Sequence, residues 1–78
     1  MELILYGKEF CHLCDDAEAI LRGLGLFADY IDIASDEKLQ ERYSIRIPVL
    51  QRRDTGAELG WPFDAEGVRL FMGLAERQ

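Results

Sequence analysis

The apolar residues of the N-terminal third follow two patterns with different periods. Residues 3–6 are an unbroken apolar run, which is typical of a strand buried on both faces of a sheet, and residues 7–10 are predicted to be the loop after it. The next apolar positions recur at helical spacing: Leu13, Ala17, Ile20, Leu21 and Leu24. Gly23 and Gly25 favour the end of this helix, because glycine readily adopts left-handed backbone. The pattern therefore predicts a central strand followed by an amphipathic helix.

A second strand and a second helix are predicted next. Residues 28–33 are rich in β-branched and aromatic side chains, which favours a strand. Ser35 is placed to cap a short helix, and the acidic residues 36–37 in its first turn have the charge that a helix N-terminus stabilises. Leu39 and Tyr43 are spaced to form the buried face of this helix.

The last third of the chain predicts a hairpin and a closing helix. Residues 49–51 follow an Ile-Pro step as a third strand, residues 53–56 are a turn signal, and residues 57–60 give a short fourth strand. Asp64 is placed to cap the last helix after Pro62, which blocks further strand pairing. The apolar side of that helix comprises Val68, Phe71, Met72 and Ala75.

The element order is thus β-α-β-α-β-β-α, which predicts an α/β fold in one domain over residues 1–78. Strands joined through a helix are expected to be parallel, and the hairpin is expected to add an antiparallel edge. The prediction is a four-stranded mixed sheet with helices on both faces.

Composition and charge argue against some classes of function. The net charge of −6 argues against nucleic-acid binding, which normally requires a basic face. The apolar runs are too short to span a membrane, and Met1 leads into a strand without a basic leader, so we expect a soluble cytoplasmic protein. A purely structural disulfide would be unusual in that reducing compartment.

The two cysteines, Cys11 and Cys14, form a CxxC motif where the first strand turns into the first helix. A sulfur at the helix N-terminus lies near unpaired N–H groups and the positive end of the helix dipole, which favours its thiolate. A second sulfur one turn later can attack a mixed disulfide formed at the first. The motif predicts Cys11 as nucleophile and Cys14 as resolving thiol. A metal or iron–sulfur ligand pair and inert thiols remain alternatives; no metal site is predicted within one chain, because zinc needs four ligands.

Four segments in sequence order strengthen the redox interpretation: Tyr6-Gly7-Lys8-x-x-Cys11-x-x-Cys14, Ile31-Asp32-Ile33, Arg46-Ile47-Pro48-Val49 and Gly60-x-x-x-Asp64. In this spacing they resemble the small glutaredoxin-like proteins of bacteria, in the thioredoxin superfamily. The resemblance implies a thioredoxin-like fold, with Pro48 as the family's cis-proline across from the sulfurs. It also implies that Ile47 offers its backbone N–H and C=O to an extended peptide or to glutathione.

Several further site residues are predicted around the motif. Lys8 occupies the place of a lysine that glutaredoxins often carry, which implies a role in tuning the thiolate. His12 is a candidate for the same role from its own chemistry, because an imidazolium beside Cys11 would stabilise the thiolate; the alternative is a plain exposed residue. Arg46 is a candidate ligand contact beside the Ile-Pro step. Gly60 and Asp64 match residues that hold the γ-glutamyl end of glutathione, although Asp64 as a helix cap is explanation enough.

The chain also departs from the family pattern, which shapes the prediction of substrate. His12 stands where Pro or Gly is usual, and Trp61-Pro62 replace the second glycine of the glutathione seat. We therefore expect a dithiol disulfide oxidoreductase whose partners are protein or small-molecule disulfides, with a reductase or glutathione as electron donor. Turnover should be better with a protein or peptide disulfide than with a glutathione mixed disulfide. No bound cofactor is expected, glutathione enters only as a co-substrate, and the protein should be a monomer with no nucleic-acid or membrane partner. The alternative is a non-catalytic thioredoxin-fold module that binds a metal, a cluster or a protein.

Overall fold

A computed structural model describes residues 3–73, and its elements follow the predicted order. The strands are β1 (Leu3–Gly7), β2 (Asp29–Asp32), β3 (Val49–Arg52) and β4 (Glu58–Gly60). The helices are α1 (His12–Gly23), α2 (Glu37–Tyr43) and α3 (Ala65–Met72), with a 3₁₀ turn at Ile33–Ser35. The strands form one mixed sheet in the order β2-β1-β3-β4, so the apolar β1 is a central strand as predicted. Ala75, predicted on the last helix, lies outside the described residues.

The strand directions correct one prediction. β1 and β2 are parallel, as expected for strands joined through α1, but β3 is antiparallel to β1 although it follows α2. The 3₁₀ turn and α2 therefore return the chain to the end of the sheet at which β2 stops. β4 is antiparallel to β3 and completes the predicted hairpin.

The side chains of β1 divide the core into two layers, because successive residues of a strand point to opposite faces. One cluster lies under α1 and α3: Leu3, Leu5, Ala17, Leu21, Leu50, Phe63 and Val68. The other lies on the α2 face: Ile4, Tyr6, Ile33, Tyr43 and Val49. Helices on both faces of a four-stranded sheet confirm the predicted fold class.

The helix caps confirm one sequence prediction and correct another. Asp64 caps α3, since its Oδ1 accepts a hydrogen bond from the Gly67 N–H at 2.8 Å. The cap of α2 is Asp36 rather than Ser35: the Asp36 carboxylate accepts from the Lys38 N–H at 2.7 Å. Ser35 ends the 3₁₀ turn instead, where its hydroxyl donates to the Asp32 carbonyl. The extra turn between β2 and α2 moves the cap by one residue.

Two further details of the predicted pattern change near the start of α1. Gly7 is the last residue of β1 rather than the first of a loop. Leu13 is largely exposed, and the buried position in the first turn belongs to Cys14. Helix α1 ends at Gly23 and Gly25 follows with φ of +73°, as the two glycines predict.

Candidate active site

The sheet register brings the predicted site segments to one end of the sheet. Gly7, at the end of β1, pairs with Asp32 at the end of β2. Val49, at the start of β3, pairs with Gly60 at the end of β4. The cysteines follow β1 at this end, and Pro48 precedes β3 there. Four sequence segments far apart in the chain therefore converge around one sheet end.

Cys11 and Cys14 form a disulfide with a Cα–Cα distance of 5.2 Å. Cys11 is the N-cap of α1, and its sulfur accepts a hydrogen bond from the Cys14 N–H at 3.2 Å. Cys11 is only partly buried, whereas Cys14 is 0% exposed. The accessible sulfur thus lies where helix N–H groups stabilise negative charge, and the second sulfur lies beneath it.

The loop that delivers Cys11 has a strained residue. Phe10 adopts φ of 61°, which is uncommon for a residue with a Cβ, and its side chain is 98% exposed. Earlier in the same loop the Lys8 carbonyl accepts a hydrogen bond from the Tyr30 hydroxyl at 3.1 Å. This bond fastens the loop between β1 and α1 to the neighbouring strand β2.

Gly7 allows the closest packing in the site. A Cβ at Gly7 would lie 2.5 Å from the Tyr30 hydroxyl oxygen and 2.9 Å from the Cys14 sulfur, both too short for real contacts. Tyr30 pairs with Leu5 across the two strands, so it lies diagonally from Gly7 and its ring can reach over that residue. From the sequence, Gly7 was named in the family motif without a role, and Tyr30 was not named. The available signal was a glycine on one strand near an aromatic residue on the next.

The Ile47–Pro48 peptide is cis, which confirms the expectation from the resemblance. Pro48 is fully buried, and extending the pairing of Tyr6 with Val49 by one residue sets Pro48 opposite Gly7. The N–H of Ile47, however, donates to the Tyr43 carbonyl at 3.1 Å. Of the two Ile47 backbone groups expected to pair with an extended peptide, the N–H is therefore already bonded within the protein.

Arg46 takes part in a side-chain network centred on Glu58. Its guanidinium donates to the Glu58 carboxylate at 3.1 Å and lies 5.4 Å from the centroid of the Tyr43 ring. Tyr43 donates its hydroxyl to the same carboxylate and stacks on Tyr6 with ring centroids 4.4 Å apart. Arg46, predicted from the sequence as a ligand contact, therefore links the segment before Pro48 to β4.

The charges of this network shift two pKa values in opposite directions. Burial, followed by the hydrogen bond to Glu58, raises the pKa of Tyr43 to about 12. The Tyr43 hydrogen bond and then the Arg46 guanidinium lower the pKa of Glu58, against the opposing effect of burial. Glu58 therefore stays ionised and Tyr43 stays protonated in the neutral range.

The segment from Gly60 to Asp64 is shaped by packing. Trp61 is partly buried against the α1–α3 core and meets Phe63 edge to face, with ring centroids 5.0 Å apart. The Trp61–Pro62 peptide is also cis, which the sequence did not predict. A Cβ at Gly60 would meet no atom within 4 Å, and Asp64 is the helix cap already described. Gly60 is exposed, and because it pairs with Val49 it lies close to Pro48, the residue before Val49.

The two residues predicted to tune the thiolate are both exposed. Lys8 lies in the loop before Cys11, and His12 is the first residue of α1.

Among residues 3–73, no three His, Cys, Asp or Glu side chains are grouped so that they could hold a metal ion. In the same part of the chain, no helix has the length and apolar character that a membrane span requires.

Comparison with known proteins identifies the family. The model of the glutaredoxin-like domain (DUF836) matches residues 2–72, nearly the whole chain. The chain belongs to this glutaredoxin-like family. A comparison with curated proteins finds no match.

Solved structures agree with the family assignment. The X-ray structure of protein XcR50 from X. campestris is 39% identical, with a TM-score of 0.83 over 91% of this chain and 95% of that one. The NMR structure of Ne2328 from Nitrosomonas europaea is 32% identical, with a TM-score of 0.77 over 90% and 88% of the two chains. A glutaredoxin from Methanosarcina mazei Go1 is 23% identical, covers 92% of this chain and 78% of that one, and with a TM-score of 0.69 shares the fold. The chain is a glutaredoxin-like, thioredoxin-fold domain with a Cys11–Cys14 pair.

Proposed function

We propose that this protein is a thiol–disulfide oxidoreductase that uses Cys11 and Cys14 as a dithiol. The observation that supports it best is the difference between the two sulfurs. Cys11 is partly exposed at a helix N-cap, whereas Cys14 is fully buried one turn later and bonded to it. An exposed, thiolate-favouring sulfur above a buried partner suits nucleophilic attack followed by resolution.

The proposed reaction transfers two electrons from the dithiol to a substrate disulfide. The Cys11 thiolate attacks one substrate sulfur, the substrate S–S bond breaks, and the leaving thiolate takes a proton from solvent. Cys14 then loses its proton and attacks the Cys11 sulfur, which releases the second substrate thiol and closes the Cys11–Cys14 bond. A reductase or glutathione returns two electrons to this bond in the next cycle.

We propose protein or peptide disulfides as the preferred substrates. An extended segment could pair with the Ile47 carbonyl beside Pro48, in the manner of an added strand. For glutathione, the chain supplies Gly60 but follows it with the packed Trp61 and Pro62, so the γ-glutamyl arm loses close backbone contact. We also propose that the protein acts as a monomer in the cytoplasm, which its small size and acidic composition support.

The roles of the sulfurs are tested by alkylation and trapping. In the reduced protein, Cys11 should react with iodoacetamide far faster than Cys14 at neutral pH, because only Cys11 is accessible. Cys14→Ser should accumulate a mixed disulfide at Cys11 with a peptide disulfide, whereas the matched Cys11→Ser variant should not. Peptide mapping by mass spectrometry gives both results. Equal alkylation of the two thiols, or trapping only in Cys11→Ser, would contradict the proposal.

Substrate preference is tested by steady-state kinetics of the wild-type protein. We expect higher kcat/KM for a peptide disulfide than for a glutathione mixed disulfide, with the same reducing system in both assays. The reverse order would show that the Trp61-Pro62 segment does not hinder glutathione. A visible absorption band in freshly purified protein would instead support the cluster-binding alternative.

A further inference from the structure

The hydroxyl of Tyr30 lies beside the buried sulfur of the pair. The position of a Cβ on Gly7 is 2.5 Å from the Tyr30 oxygen and 2.9 Å from the Cys14 sulfur, so these two atoms are at most 5.4 Å apart. In the disulfide form the hydroxyl donates to the Lys8 carbonyl at 3.1 Å. Tyr30 therefore places a hydrogen-bond donor next to Cys14 without a bond to it in this oxidised state.

The second step of the proposed reaction requires negative charge on the buried sulfur. Cys14 must become a thiolate, yet it is 0% exposed and has little access to water. Burial disfavours the charged form of a thiol unless a donor or a cation stabilises it. The helix N-terminus serves Cys11, whose sulfur accepts from the Cys14 N–H. A separate donor is needed for the buried sulfur.

We propose that the Tyr30 hydroxyl turns from the Lys8 carbonyl to the Cys14 sulfur when the disulfide opens, and stabilises the Cys14 thiolate by a hydrogen bond. This role rests on the proposed function and concerns its second step alone. Tyr30 keeps its own proton throughout. The Cys14 proton passes to solvent, the Cys14 thiolate attacks the Cys11 sulfur, and the bond from Cys11 to the substrate breaks with its electron pair on the leaving thiolate.

The surroundings of Tyr30 favour a donor over a base. Burial raises the pKa of Tyr30, and nearby carboxylates raise it further. These carboxylates come from α1, from β2 and from the loop before α1: Glu18, Asp32, Asp15 and Glu9. Basic side chains on these elements are Lys8 in the loop and Arg22 on α1, which lines the same cavity as Tyr30 and Glu18. Tyr30 therefore stays protonated in the neutral range and can donate a hydrogen bond to the Cys14 sulfur.

The test separates the two steps with dithiobis(nitrobenzoic acid). Reduced protein should release one nitrothiobenzoate when Cys11 attacks the reagent and a second when Cys14 resolves the mixed disulfide, and stopped-flow absorbance resolves the two phases. Tyr30→Phe removes the hydroxyl and keeps the ring over Gly7. Tyr6→Phe is the matched control, since it loses a tyrosine hydroxyl bonded to Gln51 on the opposite sheet face.

We expect Tyr30→Phe to slow the second phase about tenfold at neutral pH and to move its pH midpoint upward by about one unit, as loss of a charge-assisted hydrogen bond predicts. The first phase of Tyr30→Phe and both phases of Tyr6→Phe should match the wild type. An unchanged second-phase pH profile, or equal slowing of both phases, would overturn the proposal.

A second measurement does not depend on turnover. In a Cys11→Ser background, the Cys14 thiolate is titrated by its ultraviolet absorbance with and without Tyr30→Phe. An upward shift of the midpoint supports the inference even if the protein proves inactive on disulfide substrates, and no shift overturns it even if the enzyme is active. Thermal melting of each variant shows that the titrated protein is folded. If Tyr30→Phe does not fold, Tyr30→Leu, which also carries no hydrogen-bond donor, replaces it in the same titration.

Discussion

The two flanks of the sheet end that carries the cysteines are held in different ways. On the α2 side, the segment before Pro48 is fixed by a charged network in which Glu58 binds both Tyr43 and Arg46. On the α1 side, Gly7 lets the Tyr30 ring and the Cys14 sulfur pack against bare backbone. One flank depends on charge and hydrogen bonds, and the other on the absence of a side chain. The difference predicts that the two flanks respond to different perturbations.

The largest effect is expected on the α1 side, from Gly7→Ala. The new methyl group would meet the Cys14 sulfur, which the disulfide and the core prevent from moving freely, so we expect a loss of about 2–3 kcal/mol in the free energy of unfolding. Denaturant unfolding of the oxidised protein measures it. Gly23→Ala is the control: its Cβ would meet nothing within 4 Å, and alanine suits a helix better than glycine. If the free energy of unfolding of Gly7→Ala equalled that of Gly23→Ala, close packing around Gly7 would not be what stabilises the α1 side.

The second effect tests the charged flank. Glu58→Gln keeps the shape but removes the charge that binds Tyr43 and Arg46, and should cost about 1–2 kcal/mol of unfolding free energy at neutral pH. Wild-type stability should show the same contribution as a function of pH. Because the folded state lowers the pKa of Glu58, the contribution is present above the ordinary value of 4.5 and is lost as pH falls through the lowered pKa.

Glu58→Gln should therefore flatten the acid limb of the stability curve. Asp54→Asn is the comparison from the hairpin turn: Asp54 binds Arg52 through both carboxylate oxygens, but 43% of its side chain is exposed, so solvent screening should make its contribution smaller. An acid limb that is the same in wild type and Glu58→Gln would show that another carboxylate produces it.

A smaller effect is expected at alkaline pH. The folded state raises the pKa of Tyr43 from 10.0 to about 12, so its hydrogen bond contributes fully below pH 10 and is lost as pH rises through about 12. Tyr43→Phe should cost about 1 kcal/mol at neutral pH and remove that alkaline decline. Melting temperatures across this range measure it, with Tyr30→Phe as the variant from the other flank. A Tyr43→Phe protein that still loses the same stability between these pH values would contradict the assignment.

The smallest effect concerns His12, an exposed residue of α1 that belongs neither to the Glu58 network nor to the packing around Gly7. In its protonated form the imidazole would favour the Cys11 thiolate, so His12→Ala should make the reduction potential more negative by up to about 30 mV, a tenfold change in the exchange constant. Stability should not change, because the side chain is exposed. A redox titration in glutathione buffers is the measurement, and an unchanged potential would make His12 a surface residue without a role in tuning.

The sequence predicted the parts of this site that depend on local pattern. The start of helix α1 at the Cys11–Cys14 motif and the cap of α3 by Asp64 depend on neighbouring residues, and both occur as predicted. The cis peptide before Pro48 was expected only through the family resemblance. The cap of α2 was misplaced because Ser35 and Asp36 can both cap a helix, and only the 3₁₀ turn decides between them.

Features that depend on strand register could not be predicted. The meeting of Tyr30 with Cys14 requires the pairing of β1 with β2, and the engagement of Arg46 requires β4 to carry Glu58 to the α2 face. The antiparallel direction of β3 depends on where the segment after β2 returns to the sheet. The internal hydrogen bond of the Ile47 N–H likewise depends on the turn that follows α2.

The two outer strands of the sheet are short. β2 and β4 form the edges of the sheet, with four and three residues, and a foreign strand would find few backbone groups there. Side chains on these strands are also engaged within the protein, since Asp29 pairs with Arg53 and Glu58 with Arg46. On the proposed function, an extended substrate would pair with the short stretch beside Pro48, and that docking site would not require a long exposed edge strand.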